Sequence, residues 1–349
     1  MNGTEPSTDG AIQASDTRAD DIREFLAKHG SEVNDDLLAD MIVTVCRLAK
    51  DDCGRGELKL LNRALKELRY GFKVFAPYTD IPKVTIFGSA RTQEDHPQYL
   101  EAQRFAELIE KAGWMVITGA GNGIMRAGHH GAKREASFGV SITLPFEQSA
   151  NTIIAGDHKL INFKYFFTRK LMFVKEARAI VLFPGGFGTQ DEGFESLTLV
   201  QTGKAVPIPI VLCDEPGGTY WQHWRTYVKS ELLHHGMIDE EDMNLFHVTD
   251  NAEDAVAEII QFYRRYHSSR FVRDDFVIRL KAALADAELH ALNSDFADLV
   301  DEGDIRQVTG ALPEEAGEFS DLPRLVFRYH KRSAARLRQM INAINETAD

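Results

Sequence analysis

Between residues 83 and 266, short apolar runs of strand length alternate with amphipathic segments of helical length, and this alternation constrains the fold more than any other feature. The apolar runs are residues 84–87, 114–118, 139–144, 179–183, 208–213 and 245–248. The helical segments include residues 99–111, 163–177, 189–202 and 220–233. Strands alternating with helices imply right-handed crossovers and a parallel sheet that is covered on both faces. The sequence therefore predicts a doubly wound, Rossmann-like α/β domain over residues 80–267.

The chain on either side of this region has a different texture. Residues 1–19 are polar and lack periodicity, which predicts a disordered tail. Residues 20–79 carry apolar side chains at helical spacing, which predicts a helical N-terminal extension. Residues 268–349 combine alternating runs with helical stretches, which predicts a small C-terminal α+β appendage.

The net charge of −13, from 40 basic and 53 acidic side chains, argues against bulk attraction to nucleic acid or to an anionic membrane. The cysteines Cys46, Cys53 and Cys213 form no CxxC pair, which argues against a disulfide framework or a zinc site. No apolar run approaches the roughly 18 residues of a membrane span, and the acidic N-terminus does not resemble a signal peptide. We therefore expect a cytoplasmic protein whose partner is a small molecule, not a nucleic acid or a membrane.

The strongest motif lies between a predicted buried strand and a predicted helix, where residues 183–192 read FPGGFGTQDE. Glycines allow a sharp turn and bring backbone N–H groups close to a ligand, and the residues that would do so are Gly185, Gly186 and Gly188. Thr189 can cap the helix, whose N-terminus favours an anion. We expect a phosphate group here, because a purely structural turn needs only one glycine. The Walker pattern GxxxxGK[ST] is absent, which weighs against triphosphate hydrolysis with Mg²⁺.

Two charged positions flank this motif. Glu192 lies in the first turn of the predicted helix, where its carboxylate could face a phosphorylated sugar or simply interact with the helix dipole, at about 0.3–1 kcal/mol. Arg169 and Lys170 begin the preceding helix, and the planar guanidinium of Arg169 could bind Glu192 or a phosphate. An ordinary solvated Arg-Lys pair is the alternative, and spacing alone does not decide between them.

Glycine-rich loops also follow the first two predicted strands. The second of these loops has glycines at positions 119, 121 and 123, whereas the third glycine of the dinucleotide fingerprint GxGxxG falls one residue later. This spacing favours a mononucleotide over NAD. Carboxyl ends of parallel strands meet at one sheet edge, so these loops should line the same crevice as the Pro184 motif. The candidate binding residues in them are Gly88, Ser89, Gly121, Asn122 and Gly123.

Arg169 lies 15 residues before Pro184 and 23 before Glu192, and this PGGxGTxxE pattern after an Arg-Lys helix resembles the LONELY GUY family, often mislabelled as lysine decarboxylases. The resemblance covers roughly residues 83–266. It implies a phosphoribohydrolase that cleaves a nucleoside 5′-monophosphate to free base and ribose 5-phosphate, with no metal or cofactor. It further implies that Glu192 stabilises positive charge at the sugar and activates water, and that Arg169 orients Glu192 and helps to hold the substrate. Lys170 and the glycine loops would bind the substrate, with its 5′-phosphate held by Gly185, Gly186, Gly188 and Thr189.

The chain departs from the family pattern in two places. Residues 166–168 are Phe-Phe-Thr where many members have Met-His-Glu, and Ala120 stands where many have glycine. These departures leave the base preference open, although the long extensions resemble bacterial members that act on purine or pyrimidine nucleotides. The resemblance also implies a homodimer or a higher homo-oligomer.

Two other functions remain open at this point. Carriers and sensors on the same fold bind nucleotides or phosphorylated cofactors without cleaving them, but retention of both Arg169 and Glu192 favours an enzyme. Amino-acid decarboxylation needs a pyridoxal phosphate Schiff base on a lysine, and no motif signals one.

Several polar residues near the predicted strand ends are not assigned to the site. The neighbouring side chains of His129 and His130 point about 100° apart on a helix, so they cannot chelate one metal and instead pack or face solvent. Glu147 and Asn151 could each contact a ribose hydroxyl or simply be polar loop residues.

Overall fold

The computed structural model describes residues 17–29, 34–143, 150–315, 317–331 and 333–346, and the chain divides into two units, residues 1–66 and 67–349. The N-terminal unit is helical, as its apolar spacing predicts, and α1 (Thr17–His29) contacts α2 (Asp35–Leu48). A third helix, α3 (Arg55–Phe75), begins in this unit and ends in the next. The predicted disordered tail lies outside the described residues, apart from residues 17–19, which begin α1.

The second unit contains a parallel sheet with the order β4-β3-β2-β1-β5-β6-β7, counted over the described residues. Its strands are β1 (Lys83–Phe87), β2 (Met115–Thr118), β3 (Ser137–Ile142), β4 (Leu160–Phe163), β5 (Ala179–Leu182), β6 (Ile210–Cys213) and β7 (His247–Thr249). The predicted doubly wound, Rossmann-like sheet is therefore confirmed. The edge strand β4 was not predicted, because its exposed Asn162 interrupts the apolar run and its last residue was assigned to the following helix.

Helices cover both faces of this sheet. They are α4 (Pro97–Lys111), α5 (Ile124–Ala132), α6 (Phe166–Lys175), α7 (Phe187–Gln201), α8 (Tyr220–Tyr227), which continues as a π-helix over Val228–Leu233, and α9 (Ala252–Phe262). Short 3-10 helices occupy Ala76–Tyr78 and Glu240–Asn244. The strand order reverses between β1 and β5, and open α/β sheets bind ligands beyond the carboxyl ends of the strands at such a reversal.

The sheet is buried on both faces, so alternate residues of one strand enter different hydrophobic clusters. Val84 and Ile86 of β1 join the cluster on one face, and Phe87 joins the cluster on the other together with Met172 and Phe173 of α6. Helix α7 lies close to β5, because a side chain at Gly193 would come within 2.9 Å of Leu182. This packing holds α6 and α7, which carry the charged residues of the motif, against the sheet.

The C-terminal appendage is an α+β structure, as predicted. Over the described residues its antiparallel sheet has the order β10-β11-β9-β8, and its elements are β8 (Tyr266–Val272), β9 (Asp275–Leu280), α10 (Asp286–Asp295), a 3-10 turn (Ala297–Leu299), β10 (Arg306–Thr309), a second 3-10 turn (Pro313–Glu315), β11 (Pro323–Phe327) and α11 (Ala334–Glu346). Phe276, Ile278 and Leu325 enter the same hydrophobic cluster as Val84, so the appendage shares one core with the parallel-sheet region. Within the described ranges, no helix is both long and apolar enough to cross a membrane.

Candidate active site

A cavity of about 1030 Å³ opens at the carboxyl edge of the parallel sheet, beside the reversal between β1 and β5. The loops after β1, β2 and β5, the end of β3, the first turn of α6 and the first two turns of α7 form its walls. Most of the predicted site residues line it, namely Gly88, Ser89, Gly121, Arg169, Gly185, Gly186, Gly188, Thr189 and Glu192. The predicted residues Asn122, Gly123 and Lys170 are not part of this lining.

The loop between β5 and α7 has one glycine that the fold requires and two that it does not. A Cβ at Gly185 would lie 2.1 Å from Thr189 Oγ1, so a side chain there is excluded by the chain itself. A Cβ at Gly186 or at Gly188 would meet no atom within 4 Å. Packing therefore explains Gly185 only, and the other two glycines leave the main chain accessible from the cavity.

Helix α7 begins at Phe187 with Gly186 as its N-cap, and no side chain caps it. The expectation that Thr189 caps the helix is wrong, because Thr189 is the third helical residue and is buried beside Gly185. The first N–H groups of a helix have no acceptor within the helix, and the helix dipole adds a partial positive charge there. The start of α7 therefore presents free donors to an anion in the cavity.

Tyr220, which sequence reasoning missed, supports this loop from α8. Its hydroxyl donates to the Gly185 carbonyl at 2.5 Å and accepts from Gln190 Nε2 at 2.7 Å. From the other side, the Ser89 N–H donates to the Pro184 carbonyl at 3.1 Å. A signal was available, because Tyr220 opens the helix after β6, which neighbours β5 in the sheet.

The loops after β1 and β2 use their glycines for contact with each other. Gly123 has a φ of +61°, and a Cβ there would lie 2.2 Å from the Ser89 carbonyl oxygen. A Cβ at Gly88 would lie 2.6 Å from the side chain of Ile124, whose N–H donates to the Ser89 carbonyl at 3.0 Å. These glycines are needed to bring the two loops together, whatever else they bind.

A buried polar network holds the β2 loop at Ala120, which has a left-handed φ of 62°. Asn151 donates to the Ala120 carbonyl through both its backbone and its side chain, at 2.9 and 3.1 Å. His129 is fully buried, with Nδ1 3.1 Å from Asn151 Nδ2 and Nε2 3.0 Å from Thr118 Oγ1, and burial lowers its pKa. Asn151 thus binds the loop instead of facing the cavity, and Glu147 lies outside the described residues.

Glu192 is a buried carboxyl group on the cavity wall, with 6% of its surface exposed. Burial raises its pKa to about 7, against the opposing effects of Lys170 and Arg169. A carboxyl group with such a pKa exchanges a proton near neutral pH, which is the property that a general acid or base requires.

Arg169 contributes a half-buried guanidinium to the cavity wall. The expected ion pair with Glu192 is not among the ion pairs of the described residues, and Arg169 Nε is buried without a hydrogen-bond partner. The guanidinium carbon lies 5.7 and 5.1 Å from the ring centres of Phe166 and Phe173. Burial lowers the pKa of Arg169 while Glu192 opposes this, and the group has donors available for an anion.

Lys170 points toward α7 and not into the cavity. Its Nζ lies 2.8 Å from Asp191 Oδ2, 2.8 Å from Glu195 Oε2 and 3.8 Å from Glu192 Oε2. Burial acts to lower its pKa, but the hydrogen bonds to Asp191 and Glu195 outweigh burial and raise it. A lysine held protonated in this way does not fit a Schiff base with pyridoxal phosphate, and no lysine occurs among the described residues that line the cavity.

The rest of the lining is mixed. Phe87, Met125, Ile142 and Phe166 form apolar wall, and the polar side chains are those of Arg91, Ser141, Gln190 and Asp191. In the described part of the chain, no group of three or more His, Cys, Asp or Glu side chains has an arrangement that could hold a metal ion.

The parallel sheet, its order and the crevice at its reversal define a Rossmann-like protein. Residues 120–259 match the sequence model of a family described as "Possible lysine decarboxylase". A probable cytokinin riboside 5′-monophosphate phosphoribohydrolase, LOG4 of Oryza sativa subsp. japonica, is 27% identical over 160 residues, which are 44% of this chain and 66% of that protein. A second such phosphoribohydrolase, LOG7 of Arabidopsis thaliana, is 26% identical over 187 residues, or 51% and 82% of the two chains. The resemblance to the LONELY GUY family is therefore confirmed, and the family model matches the chain from the loop after β2 to α9.

Solved structures with a similar chain path cover about half of this protein. The Moco carrier protein of Chlamydomonas reinhardtii has 20% sequence identity and a TM-score of 0.37, and covers 52% of this chain and 96% of its own. DNA processing protein A of Streptococcus pneumoniae has 13% identity and a TM-score of 0.36, and covers 52% of this chain and 62% of its own. The strand order of this chain itself defines its fold class.

Proposed function

We propose that the protein hydrolyses the N-glycosidic bond of a nucleoside 5′-monophosphate and releases the free base and ribose 5-phosphate. One observation carries this proposal: the carboxyl group of Glu192, whose pKa burial raises to about 7, lines the same cavity as Gly186 and Gly188. A proton-exchanging group thus stands beside a loop whose main chain is accessible to a phosphate.

The 5′-phosphate would bind at the start of α7. Gly186 and Gly188 allow its oxygens to approach the backbone N–H groups, and the free donors of Arg169 can add charge-assisted hydrogen bonds. The phosphate then fixes the ribose one sugar length away from the loop, next to the second turn of α7, where Glu192 lies as the sixth residue of the helix and not in the first turn that the sequence predicts.

Bond cleavage develops positive charge on the sugar, centred at C1′. The ionised carboxylate of Glu192 stabilises that charge and accepts a proton from a water molecule. The oxygen of this water forms a bond to C1′ while the bond between C1′ and the base nitrogen breaks. The electron pair of the broken bond leaves with the nucleobase, which takes up a proton. A carboxylate whose pKa is close to the working pH suits the removal of a proton from water, because it is ionised in part of the molecules yet still basic enough to accept that proton.

The apolar wall of the cavity suits the base. Phe166 lines the cavity and 54% of it is exposed, so its ring offers surface for stacking. Purine and pyrimidine nucleoside monophosphates are the substrate class that we propose.

The test is a panel of AMP, GMP, IMP, CMP and UMP incubated with the purified protein, with free base measured by chromatography. We expect base release from at least one of them, and its loss in E192Q. If every nucleotide survives intact while calorimetry shows that one of them binds, the protein is a nucleotide-binding carrier or sensor instead of a hydrolase.

We also propose a homo-oligomer, from the apolar surface beside the cavity. Phe167 and Leu171 lie one turn apart on α6 and are 53% and 46% exposed, and Phe187 at the start of α7 is 96% exposed. Large exposed apolar side chains often mark an interface. Sedimentation of the wild-type protein and of L171E tests this, since a charge at that position should shift the protein toward monomer. An unchanged sedimentation coefficient would exclude this surface.

A further inference from the structure

The ammonium group of Lys170 is the centre of a cluster of charges that joins α6 to α7. Asp191 and Glu195 each lie 2.8 Å from its Nζ, and Glu192 lies 3.8 Å from it. Met172 of α6 and Val200 of α7 enter one hydrophobic cluster, so both helices pack on the same side of the parallel sheet. This packing holds the four charged groups in place relative to one another.

We propose that Lys170 is a positioning residue, whose charge, held in place by Asp191 and Glu195, sets the fraction of molecules in which Glu192 is ionised. The catalytic consequence rests on the proposed function, but the effect on ionisation does not. This assignment replaces the expectation that Lys170 contacts the substrate.

One positive charge faces three acidic side chains in this cluster. Side-chain exposure is 61% for Asp191, 32% for Glu195 and 7% for Glu192. Water stabilises the two more exposed carboxylates and they bind Lys170 most closely, so Glu192 is the group that retains a proton. Because Lys170 is paired with Asp191 and Glu195, its charge only partly offsets the cost of ionising the buried Glu192.

The charged groups that face Glu192 come from two helices, with Arg169 and Lys170 on α6 and Asp191 and Glu195 on α7. Burial is the main reason that the pKa of Glu192 is raised, Lys170 and Arg169 oppose it, and Glu195 and Asp191 add to it. Removal of the Lys170 charge should therefore raise the pKa further. Removal of the charge at Asp191 or Glu195 should lower it, since that both removes repulsion and leaves Lys170 to Glu192 alone.

These opposite directions separate charge tuning from a merely structural role. A residue that only ties two helices together would, when removed, loosen the site in the same way from either end of the ion pair. Charge tuning instead requires that K170M and E195Q shift the pKa of Glu192 in opposite directions, and that K170R keeps it at the wild-type value.

The experiment is a carbon-13 NMR titration of the full-length protein labelled at glutamate Cδ, with the Glu192 signal assigned by its absence in E192Q. In K170M we expect the midpoint to rise by about 1 pH unit or more, and in D191N and E195Q to fall by less than that. K170R should stay within about 0.5 unit of wild type, because it keeps the charge. A midpoint that is unchanged in K170M, or that moves the same way in K170M and E195Q, overturns the proposal.

Two features keep this test decisive. If K170M does not fold, D191N and E195Q still decide the outcome, because their side chains are more exposed and change little in shape. The titration also needs no substrate, so a protein that cleaves no nucleotide would refute the proposed function while the effect of Lys170 on Glu192 is still measured. Where base release is observed, the pH profile of kcat should shift in each variant with the NMR midpoint.

Discussion

The two glycine-rich loops at the cavity look alike in sequence and differ in what occupies the space around their glycines. In the loop after β2, Gly123 has a left-handed φ, and a side chain there would collide with the Ser89 carbonyl. In the loop after β5, Gly186 and Gly188 face open space. The first loop thus needs a glycine for its own packing, whereas the second keeps two that its packing does not need.

Support for the two loops also differs. His129 and Asn151 hold the β2 loop through a fully buried polar network, while Tyr220 binds a single carbonyl of the β5 loop. A count of glycines therefore does not identify a ligand-binding loop. The useful question is whether a Cβ at each glycine would meet the protein or empty space.

The largest expected effect sharpens this contrast, because it places the chemistry beside the β5 loop. E192Q should lower kcat by about 10²–10⁴-fold, which is the typical contribution of a general acid or base, while nucleotide affinity changes by less than about threefold. Steady-state kinetics and calorimetry measure the two quantities. Wild-type kcat in E192Q would contradict the role of the carboxylate.

Gly123→Ala tests the packing role of the β2 loop. The substitution forces a side chain into a left-handed backbone and within 2.2 Å of a carbonyl oxygen, so we expect it to lower the free energy of unfolding by about 3 kcal/mol. Urea denaturation followed by circular dichroism gives the value. A change below about 1 kcal/mol would mean that the β2 loop can move to accommodate a side chain. The two loops would then not differ in their need for glycine.

The pH dependence of stability tests the burial of Glu192. Its folded-state pKa of about 7 lies above the ordinary value of 4.5, so the folded protein binds the proton more tightly than the unfolded chain does. This contribution to stability is fully present below pH 4.5 and is lost as the pH rises through 7. The free energy of unfolding of E192Q, relative to that of the wild type, should therefore rise by up to about 3 kcal/mol between pH 4.5 and pH 8, at 1.36 kcal/mol per pKa unit. Parallel stability profiles for the two proteins would show that the carboxyl group is not perturbed.

Gly186→Ala and Gly188→Ala give the smallest expected change and the matched control for Gly123→Ala. Neither new methyl group meets another atom within 4 Å, so the free energy of unfolding should change by less than about 1 kcal/mol. Alanine at position 188 also has the higher helix propensity. Phosphate approach to the backbone should be obstructed, and affinity for a nucleoside monophosphate should fall about tenfold, or 1.4 kcal/mol. Unchanged affinity in both variants would remove the β5 loop from the binding site.

Much of the architecture was predictable because buried parallel strands are short, apolar and rich in β-branched residues. The edge strand β4 was not predicted, since its exposed Asn162 interrupts the run of apolar residues. The start of α7 was misjudged because no polar side chain marks it, with Gly186 at the N-cap.

Within the site, local motifs predicted that Arg169, Glu192 and the β5 loop lie near one another, and all three line the same cavity. The direction of Lys170 could not be predicted, because neighbouring helical positions point about 100° apart and only the packing of α6 decides which one faces the cavity. The pairing of His129 with Asn151 was equally hidden, since it joins residues that are distant along the chain.

The most direct measurement is a crystal structure of E192Q with a bound nucleoside 5′-monophosphate, chosen from the panel as the one that binds. The account predicts phosphoryl oxygens within hydrogen-bonding distance of the backbone N–H groups at residues 186–188, and C1′ facing the side chain at position 192. A phosphate bound only at the β2 loop, or a sugar that leaves position 192 uncontacted, would contradict it.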